Sequence, residues 1–146
     1  MQRGTASNIY CKLIPSNLFP GVRLMKISIT ITGLELEAEL DECTTSFAAY
    51  NALPCESSVN RWGDEIYFDF PIPAVPENLK QTMDIGDLGY WLEGQALAIF
   101  FGSTPASMDG KPRAAVPVIY MGRIIGDTRV LRDVESGAVI TLKTCD

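Results

Sequence analysis

Hydrophobic and polar residues alternate along much of the chain after residue 24, and this pattern predicts a β-rich fold. Residues 26–32 place an isoleucine at every second position with serine and threonine between them, as in a half-buried strand. Residues 34–40 alternate leucine and alanine with three glutamates. Gly33 separates the two segments, so they are predicted to pair as a hairpin with a tight turn. The alternating glutamates are typical of a solvated face.

The rest of the chain continues in short segments. Further strands are predicted at 64–70, 96–101, 116–125 and 139–142, and short helices at 44–53 and 128–135. Residues 71–83, with three prolines, are predicted as a loop, and the glycines at 86 and 89 as a turn that leads into Tyr90 and Trp91. Six or seven strands with two short helices predict a mainly β fold, a closed or nearly closed β-barrel.

The first 24 residues differ from the rest in pattern and charge. They show no lasting period, and we interpret residues 1–24 as a leader or extension and residues 25–146 as the barrel domain. A secretory signal needs a compact apolar stretch of about 7–15 residues, which prolines and polar residues interrupt here. We therefore expect a cytoplasmic protein. No apolar run approaches the roughly 20 residues of a membrane helix, so no membrane partner is expected.

The amino-acid composition argues against several classes of function. The 146 residues include no histidine, which argues against hydrolases with a histidine base and against most zinc enzymes. The four cysteines form no C-x-x-C pair, and neither a metal nor a cofactor is expected. The net charge is −6, and residues 25–146 carry all 18 acidic residues with only nine basic ones. This excess of acid argues against a nucleic-acid partner.

Aromatic residues interleaved with a few polar ones mark the candidate site. The segment 61–68 combines an arginine, a tryptophan, a glutamate and a tyrosine, as ligand grooves often do. The plainer alternative is an aromatic pair that shields a sheet face, with the glutamate paired to an arginine. The candidate ligand-binding residues are Arg61, Trp62, Glu65, Tyr67, Tyr90, Trp91, Phe100, Phe101 and Thr104.

Three longer strings give a resemblance to a known family. Three segments resemble the cyclophilin-like domain family of small uncharacterised bacterial and archaeal proteins. They are WGDEIYF at 62–68, IGDLGYWLEGQALAIFFGSTPAS at 85–107 and YMGRIIGD at 120–127. The resemblance runs from about Met25 to Cys145 and implies a cyclophilin-like closed β-barrel without a settled activity. Relative to true cyclophilins, Arg61 falls roughly where the catalytic arginine lies. The Gln-Gly-Gly signature and the pocket histidine are missing.

These observations leave three functions open. The first is a binding module that takes a small molecule or peptide in the aromatic groove. The second is a peptidyl-prolyl isomerase, in which Arg61 is the candidate catalytic residue. The third is a structural oligomer with Trp62 and Trp91 at its interface. The oligomeric state is expected to be a monomer or a homodimer, and either Phe100 or Phe101 faces the groove.

Overall fold

The computed structural model describes residues 25–145; the predicted leader at 1–24 lies outside them. The described chain is mainly β, with ten strands, one α-helix and one 3-10 helix. The elements are β1 (Met25–Ile31), β2 (Leu34–Leu40), α1 (Thr44–Asn51), β3 (Cys55–Ser58), β4 (Asn60–Arg61), β5 (Glu65–Asp69), β6 (Leu79–Thr82), β7 (Asp87–Trp91), β8 (Ala96–Phe100), β9 (Arg113–Ile125), the 3-10 helix (Arg129–Asp133) and β10 (Val139–Thr144).

All ten strands belong to one antiparallel sheet. Its order is β3-β10-β1-β2-β9-β7-β8-β5-β4, with β6 paired to β9 off this path. The edge strands β3 and β4 follow one another in the chain, yet within residues 25–145 no ladder joins them. The predicted closure of the sheet into a barrel is therefore not confirmed.

Two apolar layers lie on opposite faces of the sheet. The main core takes the alternate residues of the predicted strands, among them Ile27, Ile29, Ile66 and Phe68, all essentially without solvent exposure. A smaller cluster of Met83, Ala98, Phe100, Ala114 and Val118 lies on the other face of β8 and β9, against Tyr67 and Tyr120. The glutamates of β2 point away from the core, as the alternation predicts. The second layer is the one that carries the candidate site.

The predicted helix at 44–53 is α1, which spans Thr44–Asn51 and has Cys43 as its N-cap. The Cys43 sulfur accepts a hydrogen bond from the Ser46 amide, and the Glu77 carboxylate accepts bonds from the Thr44 and Thr45 amides. These acceptors satisfy amides that the first helical turn leaves without partners. The second predicted helix is a 3-10 helix of five residues, Arg129–Asp133.

Three predictions of local structure are wrong. Of the segment predicted as a Gly-rich turn, only residues 85–86 form a turn; Gly89 lies in strand β7, which is between β8 and β9 inside the sheet. The predicted loop 71–83 contains β6, which pairs with the long strand β9. β9 also starts earlier, at Arg113, and runs through Gly122 without interruption. A Cβ at Gly122 would lie 2.0 Å from the Glu39 carbonyl oxygen, so this glycine lets β2 and β9 approach rather than ending a strand.

In the described part of the chain, every helix is too short and too polar to cross a membrane.

Candidate functional site

A cavity of about 280 Å³ opens on the face of the sheet opposite the main core. Strand register explains why its residues meet. Glu65 lies opposite Phe100, Tyr67 opposite Ala98, and Trp91 opposite Ala96, so their side chains share one face of β5, β8 and β7. The lining residues are Trp62, Glu65, Tyr67, Trp91, Ala98, Ala114, Ala115, Val116 and Val118.

Small residues create the open space. Ala98 forms the floor on β8, and its neighbour on β7 is Gly89, which has no side chain at all. Val118 from β9 covers that glycine: a Cβ at Gly89 would lie 2.6 Å from a Val118 methyl group. Larger residues at these positions would fill the volume, since protein interiors are close-packed.

Aromatic rings form the walls. The rings of Tyr67 and Trp91 meet edge to face, with centroids 6.3 Å apart. The indole of Trp91 also lies against Gly94, where an added Cβ would come within 2.2 Å of the ring. Trp91 nevertheless remains 38% exposed, because its other face borders the cavity and solvent. Trp62 adds a second indole from the turn before β5.

Glu65 is the polar group of the cavity. It is placed by a tight hairpin between β4 and β5, in which the Trp62 and Glu65 backbones exchange two hydrogen bonds. The residue is only 8% exposed, and its Oε1 atom has no hydrogen-bond partner among the described residues. Burial among apolar neighbours raises the pKa of Glu65 to about 8, because desolvation disfavours the carboxylate. A buried carboxyl without a partner is costly for the fold and is typical of functional sites.

Asp87 shows what a buried structural carboxylate looks like in the same protein. It is 3% exposed, but its Oδ2 accepts bonds from the Lys80 ammonium at 3.0 Å and from the Asp84 amide at 2.8 Å. The Lys80 ammonium also lies over the Tyr120 ring. Asp87 is therefore compensated by a cation and an amide, and Glu65 Oε1 is not.

Arg61 lies outside the cavity lining. Its guanidinium donates to the carbonyls of Gly63, Arg132 and Val134 and to the carboxylate of Asp64 at 2.8 Å. Its carbon atom Cζ also lies 4.9 Å from the centre of the Phe101 ring. The arrangement ties the start of β5 to the end of the 3-10 helix, which is the work of a structural arginine.

The other candidates are spread over the core and a loop. Tyr90 is fully buried and donates its hydroxyl to the Phe70 carbonyl at 2.9 Å. Phe101 packs in the main core, and Phe100 lies in the second layer with Ala98 and Val118, beneath the cavity. Thr104 is buried in the loop before β9, where its hydroxyl bonds the Arg113 carbonyl. None of these four is among the lining residues of the described chain.

Four lining residues come from the start of β9: Ala114, Ala115, Val116 and Val118. Sequence reasoning missed them because small apolar residues carry no chemical signature. The available signal was that Ala114 and Ala115 directly precede the predicted strand 116–125, in which Val116 and Val118 lie. Only the pairing of β6 and β7 with β9 brings this segment over the sheet face.

Comparison with known proteins places this chain in a family. The model of the cyclophilin-like family matches residues 25–143, and the chain belongs to that family. A hypothetical protein from Archaeoglobus fulgidus, whose structure was determined in solution, is 37% identical with a TM-score of 0.72. The similarity covers 86% of this chain and 99% of that protein. No curated protein matches the sequence.

Proposed function

We propose that this cyclophilin-like domain is a binding module that takes a small molecule in the cavity between Trp62 and Trp91. The observation that carries the proposal is the buried Glu65 carboxyl, whose Oε1 has no hydrogen-bond partner among residues 25–145 and lies in a mainly apolar, aromatic cavity. Ligand sites commonly combine such apolar walls with one or two convergent polar groups. A ligand would supply the hydrogen bond that the fold leaves unmade.

The size of the cavity favours a small molecule over a peptide. Its volume of about 280 Å³ lies just below the range of about 300–1,000 Å³ that is usual for drug-sized ligands. The same concave shape argues against the alternative of a flat oligomer interface at Trp62 and Trp91. The oligomeric state, a monomer or a homodimer, stays a prediction, and so does the cytoplasmic location.

The alternative function is peptidyl-prolyl isomerase. Catalysis of the cyclophilin type needs a cation or donor beside the prolyl amide, and Arg61 is the candidate for that role. Its donors already serve three backbone carbonyls and Asp64, which favours the binding module. An X–Pro peptide isomerises unaided in about 10–100 s, so any acceleration is easily measured, and we expect none.

A cavity-filling variant tests the binding module. A fragment library is screened by nuclear magnetic resonance for compounds that shift the indole signals of Trp62 and Trp91. Val116→Trp puts a large ring at an exposed lining position on the same face of β9 as Ala114 and Val118. Ser58→Trp, at an exposed position of the edge strand β3, is the matched control. Fragments should bind the wild type and the control and lose binding to Val116→Trp. Hits that Val116→Trp leaves unchanged would place the binding elsewhere.

A further inference from the structure

The cavity lining offers negative charge and electron-rich rings to a ligand, and no positive charge from the described residues. Three electron-rich rings, of Trp62, Tyr67 and Trp91, surround a space that contains the Glu65 carboxyl. Among the lining residues within 25–145 there is no arginine or lysine. An anionic ligand would meet no positive partner there, and it would face the Glu65 carboxyl at high pH.

Two independent features of this lining favour a cation. Tryptophan and tyrosine faces attract ammonium groups, and aromatic cages of this kind bind alkylated ammonium ions. A positive ligand also supplies the partner that a buried carboxylate requires. The excess of acidic residues in the whole chain favours the approach of cations.

We infer that the ligand of this cavity is a small organic ammonium ion, held by the rings of Trp62, Tyr67 and Trp91 and neutralised by the Glu65 carboxylate. The inference rests on the proposed function and names its ligand class. The volume of about 280 Å³ suits an ammonium group with a few alkyl substituents.

The carboxyl must lose a proton to form this ion pair. Of the groups on the neighbouring elements, Arg61 and Asp64 are paired with each other, Lys80 is paired with Asp87, and Arg113 donates to Thr82. Tyr67 is the other titratable side chain of the lining. Glu65 is therefore the group whose ionisation couples to the binding of a cation.

A matched set of probes separates charge from shape. Choline is a permanent cation, dimethylethanolamine is a protonated amine near neutral pH, and 3,3-dimethyl-1-butanol is the uncharged isostere of choline. Binding is measured by calorimetry between pH 6 and pH 9, in two buffers with different ionisation enthalpies. At pH 8 the cations should bind at least tenfold more tightly than the isostere. Choline affinity should rise up to about tenfold per pH unit below pH 8, with release of close to one proton at pH 6.5.

Two variants assign the effect to Glu65. Glu65→Gln keeps the shape of the side chain and should abolish the proton release and the pH dependence of choline binding, and should reduce the cation preference at pH 8 to what the rings alone supply. Glu56→Gln, the same change at an exposed position of β3, should leave all three unchanged. Circular dichroism and thermal unfolding establish that both variants are folded.

Three outcomes would overturn the inference. They are equal affinity for choline and its isostere, a cation preference and pH dependence that Glu65→Gln leaves undiminished, and dissociation constants above about 10 mM for both cations. The proposed function is judged separately by the fragment screen. Neutral fragments that bind the wild type but not Val116→Trp, together with equal affinities for choline and its isostere, would keep the binding module and reject the ammonium ion.

Discussion

The ring of Tyr67 meets the ring of Trp91 at 87°, with the two centroids 6.3 Å apart. The two residues come from different strands, β5 and β7, which are separated by β8 in the sheet. An edge-to-face pair of this kind contributes about 0.5–1.5 kcal/mol beyond burial and holds both rings in place. The wall of the cavity is therefore preformed.

A substitution at Gly94 should displace the Trp91 ring and leave the tryptophan itself in place. Gly94→Ala puts a methyl group where the indole now lies, since the added Cβ would be 2.2 Å from the ring. We expect a shift in tryptophan fluorescence and at least tenfold weaker binding of cavity ligands, with little change in the free energy of unfolding, because Trp91 is already 38% exposed. Gly110→Ala is the control for a glycine change with open space around it, although its positive φ adds local strain. Unchanged fluorescence and binding in Gly94→Ala would show that the indole has room to adapt.

The raised pKa of Glu65 predicts how stability changes with pH. The unfolded chain loses this proton near pH 4.5, whereas burial holds it in the folded protein until about pH 8. Between these values the folded state binds more protons, so this group lowers the free energy of unfolding as pH rises, by up to about 1.4 kcal/mol per pH unit. Below pH 4.5 and above pH 8 the contribution is constant.

Glu65→Gln isolates this contribution. Urea unfolding of the wild type and the variant is compared from pH 5 to pH 8, so that the other titrating groups cancel in the difference. The variant should gain stability relative to the wild type by several kcal/mol across this range. A difference that does not change with pH would mean that Glu65 titrates normally in the folded protein.

The sequence predicted part of the site because that part depends on local alternation. The two-residue period of β5 correctly put Glu65 and Tyr67 on one face, away from Ile66 and Phe68. It offered no information on what covers that face, because β9 reaches it through pairing with distant strands. The same limit explains Arg61, whose partners Arg132 and Val134 lie far along the chain.

The strand β7 was predicted as a turn for a related physical reason. Two glycines within four residues usually indicate a turn. Gly89 instead serves packing: Val118 occupies the space where its side chain would be. A glycine required by a tertiary contact cannot be distinguished from a turn glycine by the local sequence alone.

That contact gives a prediction about stability. Gly89→Ala would force Val118 to shift, since the added Cβ would lie 2.6 Å from its Cγ2 atom, and should cost about 1–3 kcal/mol. Val118→Ala removes that methyl group and destabilises by the loss of buried surface. The double variant should be more stable than the sum of the two changes predicts, because each relieves the other. Urea unfolding measures all three; strictly additive effects would place the strain elsewhere.

Arg61 gives the last prediction, which separates a structural from a catalytic role. Arg61→Ala leaves the Gly63, Arg132 and Val134 carbonyls and the Asp64 carboxylate without this donor. Water replaces it at some of these groups, so we expect a loss of about 2–4 kcal/mol in the free energy of unfolding. Arg123→Ala, at an exposed position of β9, is the matched control and should change stability by less than about 0.5 kcal/mol. The cavity ligand should still bind to folded Arg61→Ala with an affinity close to that of the wild type. A fully stable Arg61→Ala that loses a measurable prolyl isomerase activity would instead make Arg61 the catalytic residue of an isomerase.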